Sequence, residues 1–255
     1  DSSDPYAADV LSRIFDDANT LIEGANVVPE RMIMQLLSPA DGSPKIFIEA
    51  NGVTYGFNYD QDGEYKKTNF AELTETTDKW SDTENSDPLD DVSVGLDSVE
   101  AKTGERPSIL IVSRKTMDYL KQNKKIKSAI LAQNVTANIF MNDNRVKEIF
   151  SAELGVNIIV YSKQYKNEEG TVAKFYPDGF ATLIPNGALG NTWYGTTPEE
   201  RTLMGSKEAD VSIVNTGVAV SVIVTSDPVH TKTTASEIVL PSYERMDSVF
   251  VIKCY

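Results

Sequence analysis

Ser86–Leu131, SDPLDDVSVGLDSVEAKTGERPSILIVSRKTMDYLKQNKKIKSAIL, decides the fold class because it punctuates itself into helix, strand and helix. Ser86 or Asp87 can cap the first helix, and Pro88 suits its first position, where a missing N–H costs nothing. Asp90 and Asp91 then lie at the positive end of the helix dipole. Leu89, Val92, Leu96 and Val99 recur on one face. Gly104 can take the left-handed conformation that ends a helix and Pro107 prevents a restart, so Ser108 to Val112 runs as a short apolar strand. Ser113 caps the next helix, with Met117 and Leu120 inward and Lys121, Lys124, Lys125 and Lys127 outward. Taken alone, the stretch defines a mixture of helix and sheet.

Upstream, Asp4-Pro5 is a helix start, and Val10, Ile14, Ala18, Leu21 and Ala25 recur at steps of three and four. Gly24 and Asn26 interrupt the pattern, Val28 before Pro29 is biased away from helix, and Pro29 can open a second segment. The spacing predicts one long helical element over 5–37 with a break near 24–28. Lys45 to Ala50 and Val53 to Asn58 alternate around Asn51-Gly52, which predicts a hairpin with a type I′ turn. Residues 60–86 are polar and acidic and read as a linker or extended surface segment, with Phe70, Leu73 and Trp80 as anchoring points.

Downstream, 134–141 reads as irregular or a short strand, and Asp143 caps a helix whose Val146, Ile149, Phe150 and Leu154 face inward before Gly155 ends it. Strands follow at 156–161, 171–176 and 180–184. Residues 185–210 hold many turn formers and no periodicity, and further strands are expected at 217–225, 236–240 and 248–253. There is no internal repeat.

Charge narrows the function classes. The 255 residues carry 24 basic and 38 acidic side chains, a net charge of −14, which repels nucleic-acid phosphates and argues against sequence-specific nucleic-acid binding. No apolar run is long enough to span a bilayer, and the N-terminus has neither the basic region nor the apolar core of a signal peptide, so no membrane partner is expected. The single cysteine, Cys254, rules out an intramolecular disulfide. Charge is also uneven: Asn58 to Glu100 holds 13 acids and 3 bases, Arg106 to Ile130 holds 7 bases and 1 acid. Two readings stay open, two solvated faces or complementary patches that meet between copies of the chain.

Catalytic machinery is hard to find. His230 is the only histidine, beside a Pro turn at the start of a strand, so multi-histidine zinc sites are excluded and a Ser-His-Asp triad would have to use it. Cys254 reads as a small packed residue. Gly187-Ala-Leu-Gly190 fits neither phosphate-loop pattern. Asn58-Tyr-Asp60-Gln-Asp62-Gly63 imitates the start of an EF-hand loop but has Asn58 at position one and Asn69 at position twelve, where a bidentate Glu belongs. Adjacent carboxylates such as Asp16-Asp17, Asp90-Asp91 and Glu199-Glu200 carry little weight in so acidic a chain. No catalytic, cofactor-binding or metal-ligating residue is assigned, and no cofactor is expected.

The order of motifs resembles phage major capsid proteins of the lambda gpE type. The motifs are Trp80 followed by Ser86-Asp-Pro-Leu-Asp-Asp-Val, then Thr103-Gly104-x-Arg106-Pro107 into an apolar strand, then Ser113-Arg114 and a helix ending in Asn123-Lys-Lys-Ile-Lys. Leu154-Gly155-Val156, Gly195 after Trp193-Tyr194, and Glu237-Ile-Val-Leu-Pro241 continue the likeness, which spans about residues 5 to 255.

The resemblance implies an α+β chain with the HK97-like capsid fold. A peripheral domain over 1–86 would hold a long spine helix (5–37), the β-hairpin and the acidic linker; a mixed α/β axial domain would cover 87–225; 226–255 would return as strands to the peripheral domain. Members carry an N-terminal arm and an extended loop ahead of the spine helix, whereas only four residues precede Pro5 here. The implied function is structural: a non-enzymatic head protein of a tailed bacteriophage or prophage, associating with itself into pentamers and hexamers of an icosahedral shell around DNA. It would assemble in the bacterial host cytoplasm, reside in the virion, and have scaffold, portal or decoration proteins as further partners. Lys121, Lys124, Lys125 and Lys127 form the candidate subunit-contact patch, facing acidic surface such as 72–91 of a neighbour. Two alternatives remain at this level: an encapsulin-like compartment shell, and a hydrolase using carboxylates and a divalent metal near Asp60, Asp62 and Glu64.

Overall fold

A computed structural model describes residues 5–50, 53–133, 141–167, 170–203, 210–214, 217–226 and 229–255. The type I′ turn at Asn51-Gly52, the segment 134–140 and the Asp227-Pro228 turn lie outside these residues. Seven helices and thirteen strands are present among them. The chain divides into two compact units: Asp1–Met32 with Asn191–Ser242, and Ile33–Gly190 with Tyr243–Tyr255.

These limits differ from the boundaries drawn at 86/87 and 225/226. The acidic stretch 60–86 is woven into the second unit instead of bridging domains. It contains α2 (Glu64–Thr68) and β3 (Phe70–Glu72), and β3 pairs in parallel with β13 (Phe250–Lys253). Residues 191–225 and 226–242 are likewise inseparable, because β9 (Thr192–Gly195), β10 (Asp210–Val214), β11 (Val218–Ser226) and β12 (Val229–Pro241) make one antiparallel sheet ordered β10-β11-β12-β9.

In the first unit, helix α1 (Pro5–Leu37, whose last five residues belong to the second unit) packs Ile22 and Ala25 against Val218, Val220 and Ala235 of the sheet. The helix runs 33 residues without the expected break, with Pro29 inside it. Proline forfeits one backbone bond there, and the residues after it, Met32, Leu36 and Leu37, are buried. Burial outweighs the local signal. Tertiary packing supplies most of a helix's stability in a folded protein.

The second unit is built on a five-stranded sheet ordered β3-β13-β8-β4-β5, where β4 is Ile109–Val112, β5 Asn157–Val160 and β8 Phe180–Ile184. Helices α3 (Pro88–Thr103), α4 (Arg114–Gln122), α5 (Lys124–Gln133) and α6 (Asp143–Leu154) contribute Val92, Leu96, Met117, Leu120, Ile126, Val146 and Phe150 to one core with Leu110, Leu183 and Ile252 of the sheet. Gly95 marks the closest approach of α3: a Cβ there would lie 2.9 Å from Cδ1 of Phe250 and 3.0 Å from Cδ1 of Leu183.

The capping chemistry follows the sequence. Asp87 Oδ1 accepts from the N–H of Asp90, Ser113 Oγ accepts from the N–H of Thr116, and Gly104 and Gly155 hold φ of 73° and 69°. Two details differ. The helix after Ser113 breaks at Asn123, whose extended backbone ends α4 and whose Oδ1 accepts from the N–H of Ile126 to start α5. Asn142, not Asp143, caps α6, through the N–H of Arg145.

Three smaller elements complete the chain. The hairpin of β1 (Lys45–Ala50) and β2 (Val53–Asn58) forms a two-stranded sheet of its own with Ile46 opposite Phe57 and Phe47 opposite Gly56. A second hairpin joins β6 (Gln164–Lys166) and β7 (Val172–Lys174). Helix α7 (Pro198–Leu203) falls in the stretch read as turns only. Its start was written locally: Thr197 Oγ1 accepts from the N–H of Glu200, Pro198 follows it, and Glu199 and Glu200 occupy the first turn.

Candidate functional site

The residues that could suggest chemistry have structural work. Asp60 is buried, and its carboxylate accepts from the N–H of Tyr65 at 2.9 Å, the N–H of Lys66 at 3.2 Å and the hydroxyl of Ser43 at 3.0 Å. Burial pushes its pKa up, but these bonds outweigh that effect and hold it below the usual carboxylate range. Asn58 Oδ1 accepts from the N–H of Asp60, and Asp62 Oδ1 from the N–H of Glu64. The calcium-like spacing is therefore a set of caps on a turn and a short helix. Among the described residues no group of three His, Cys, Asp or Glu side chains is arranged to hold a metal. Cys254 is fully buried, and burial pushes its thiol well above the ordinary range, away from nucleophilic character. His230 lies on β12 opposite Thr225.

The four lysines of the expected contact patch sit on α4 and α5, and three of them are paired within the chain. Lys121 Nζ lies 2.6 Å from Asp118 and 3.3 Å from Asp143, Lys124 lies 3.1 Å from Glu84, and Lys125 lies 2.9 Å from Asp87. Its bond to Asp118, reinforced by Asp143, raises the pKa of Lys121. Lys127 has no ion-pair partner among the described residues.

A buried polar joint holds the two charged stretches together. The Asn123 amide donates to the carbonyl of Ser86 at 3.1 Å and to its hydroxyl at 3.0 Å, and the N–H of Lys124 donates to the carbonyl of Thr83. The acidic stretch Asn58 to Glu100 and the basic stretch Arg106 to Ile130 thus meet in one molecule. Neither of the two open readings of the charge pattern included this arrangement. Exposed pairs of this kind contribute roughly 0–1 kcal/mol each.

A different surface feature had no signal in periodicity or charge. Among the described residues every exposed aromatic falls in one of two places: Phe47, Tyr55 and Phe57 on the β1–β2 hairpin, and Trp193 and Tyr194 on β9. Strand alternation makes Trp193 share a face with its partner Leu240 and, two residues on, with Ile238 opposite Gly195. Gly195 is required there, since a Cβ would come within 2.8 Å of Ile238 Cγ2. Tyr194, on the opposite face, lies across Gly217, whose φ of 106° only glycine adopts readily.

The chain is an α+β protein of two units, and its described residues hold no cluster of metal-ligating side chains. Its architecture is that of solved phage proteins. A protein assigned as a prophage capsid protein in Escherichia coli CFT073 superimposes with a TM-score of 0.66 at 16% identity, over 94% of this chain and 66% of that one. A phage-related protein from Bordetella bronchiseptica RB50 superimposes with a TM-score of 0.53 at 14% identity, over 92% of this chain and 64% of that one. This chain therefore spans about two thirds of the length of either, and identities this low establish likeness of fold. No curated protein is similar in sequence. The sequence model of the family described as phage major capsid protein E matches residues 7–253, and the chain belongs to that family.

Among the described residues no helix is long and apolar enough to cross a membrane.

Proposed function

We propose that this chain is the shell-forming subunit of a tailed-phage or prophage capsid, with the HK97-like fold, working by self-association into pentamers and hexamers and residing in the virion. The observation that carries this reading is the family match over residues 7–253. The likeness of fold to a prophage capsid protein supports it.

On this reading α1 is the spine helix. The peripheral domain is the unit of Asp1–Met32 with Asn191–Ser242, and the axial domain is Ile33–Gly190 with Tyr243–Tyr255. Thirty-three helical residues make a rod of about 50 Å, long enough to brace one edge of a shell subunit. The net charge of −14 suits an inner lining along which packaged DNA slides, because duplex phosphates find few cations to exchange for their counterions. Lys121, Lys124, Lys125 and Lys127 remain a proposed contact patch. Three of them would have to share or release their in-chain partners to serve a neighbour.

Electron microscopy of the expressed protein, with its mass followed by light scattering as concentration rises, tests the reading. Capsomer rings or closed shells are the expected result. A strict monomer at every concentration would overturn it.

A further inference from the structure

We infer that the aromatic β1–β2 hairpin of one copy docks against the β9 edge of the four-stranded sheet of a second copy. This inference rests on the shell reading and names the surfaces one of its contacts uses.

The first argument is where the exposed aromatics lie. Soluble chains scatter single apolar residues over their surface, but clustered exposed aromatics mark contacts. Here all five exposed aromatics of the described residues fall on two elements, with Trp193 the most exposed large hydrophobic at 65%.

The second argument is that neither element is finished as a sheet. An isolated two-stranded hairpin is marginal in water, and among the described residues β1–β2 pairs with no third strand. The outer edge of β1 is already occupied at Phe47, whose N–H donates to Oε1 of Gln35 at 3.0 Å and whose carbonyl accepts from its Nε2. Among the described residues the open edge is therefore that of β2, which carries Tyr55 and Phe57. Strand β9 is likewise an outer strand of its sheet, with Trp193 and Ile238 exposed on one face. Unpaired edges of this kind template strand pairing with another chain.

Charge selects the occupant. Copies of a chain with net charge −14 repel one another wherever acidic surfaces face. Residues 45–58 carry one Lys and one Glu, and residues 191–197 carry no charge at all. These two strips let two copies approach without that penalty, and both are aromatic.

Area sets the strength. Four half-exposed side chains that share faces, Tyr55 and Phe57 on the hairpin and Trp193 and Ile238 on the sheet, offer roughly 400 Å² together at about 100 Å² each. A stable two-chain interface buries about 1,200–2,000 Å². One such contact is too small for a lasting dimer and suits an interface repeated around a ring. Because the two surfaces differ, the contact is heterologous and propagates instead of stopping at two copies.

Two variants that each add one exposed cysteine, Tyr55→Cys and Trp193→Cys, are mixed and treated with a short bismaleimide, with each variant alone and the parent, whose Cys254 is buried, as controls. A cross-linked dimer in the mixture and in neither variant alone is the expected result. Phe57→Ser, checked for an unchanged far-UV spectrum, should weaken self-association about tenfold or more by sedimentation, with mass in the parent rising beyond the dimer. Cross-linking within either variant alone would reveal a contact of like surfaces and overturn the inference. Oligomers that form without cross-linking in the mixture would overturn it while leaving the shell reading intact. Absence of both oligomers and cross-links would overturn the two together.

Discussion

Nε1 of Trp80 donates a 2.8 Å hydrogen bond to Oδ2 of Asp91, tying a fully buried indole in the acidic stretch to the first turn of α3. Burial pushes the Asp91 carboxyl up to about 6, and Asp87, Asp90 and Asp78 push the same way, while the bond from Trp80 opposes them. A raised carboxyl binds its proton more readily folded than unfolded. Its contribution to stability is therefore fully present below about pH 4 and lost as pH rises through about 6. Asp91→Asn keeps an acceptor for Trp80 and removes the titration. The variant should be more stable than the parent at pH 7, by about 1 kcal/mol once solvent screening is allowed for, and the difference should shrink towards pH 4. Urea midpoints of both proteins from pH 4 to 7 measure it; a difference that does not change with pH would refute the assignment.

Gly95 and Gly24 make a paired test of packing against propensity. Both are helical, and alanine in an open helical site gains up to about 1 kcal/mol over glycine. A Cβ at Gly24 would meet nothing within 4 Å, so Gly24→Ala should stabilise. At Gly95 the same Cβ would press on Phe250 and Leu183, and overpacking costs about 1–3 kcal/mol. Gly95→Ala should therefore destabilise despite its better propensity. Thermal melts of the two variants should move in opposite directions.

Much of this fold was legible because its signals are local. Asp87 with Asp90, Ser113 with Thr116, and the left-handed Gly104 and Gly155 each act within one helical turn, so the sequence around them suffices. What escaped was carried by partners far apart in the chain. Strand β3 pairs with a strand 180 residues later, which turns an apparent linker into sheet. Lys124 meets Glu84 and Lys125 meets Asp87 across a fold that no periodicity describes. The aromatic surfaces escaped for another reason. Alternation places a residue on a face of a strand, but whether another layer covers that face is decided by topology.

The lysine patch separates stability from assembly. Lys124→Glu with Lys125→Glu sets like charges against Glu84 and Asp87, so it should cost up to about 1 kcal/mol per pair, and less in high salt. Lys127→Glu breaks no ion pair among the described residues and should leave the melting temperature within about 1 °C of the parent. If the patch serves a neighbour, both variants should assemble less at low salt. Light scattering beside the melts reads this, and normal assembly of Lys127→Glu would remove that residue from the contact.

Asn69 should prove the most sensitive polar residue of the second unit. It is fully buried, and its Nδ2 donates to the carbonyls of Asp247 at 2.8 Å and Val249 at 2.9 Å. Its Oδ1 accepts from Lys102 Nζ at 2.9 Å, and Lys102 also reaches Asp247 Oδ1 at 2.7 Å. One side chain thus joins α3, the turn at 246–248 and the start of β13, across 180 residues of sequence. Asn69→Ala strands two carbonyls and one arm of an ammonium, and an unsatisfied buried group costs about 1–3 kcal/mol, so a loss of about 3 kcal/mol is expected. Lys102→Met removes the ion pair from a partly exposed position but leaves both amide bonds in place, and should cost only about 1 kcal/mol. Double-mutant analysis by urea unfolding should show the two changes to be less than additive, because the lysine loses much of its anchorage once Asn69 is gone. Equal losses from the two single variants would mean that the ion pair, not the amide, holds the C-terminal strand in place.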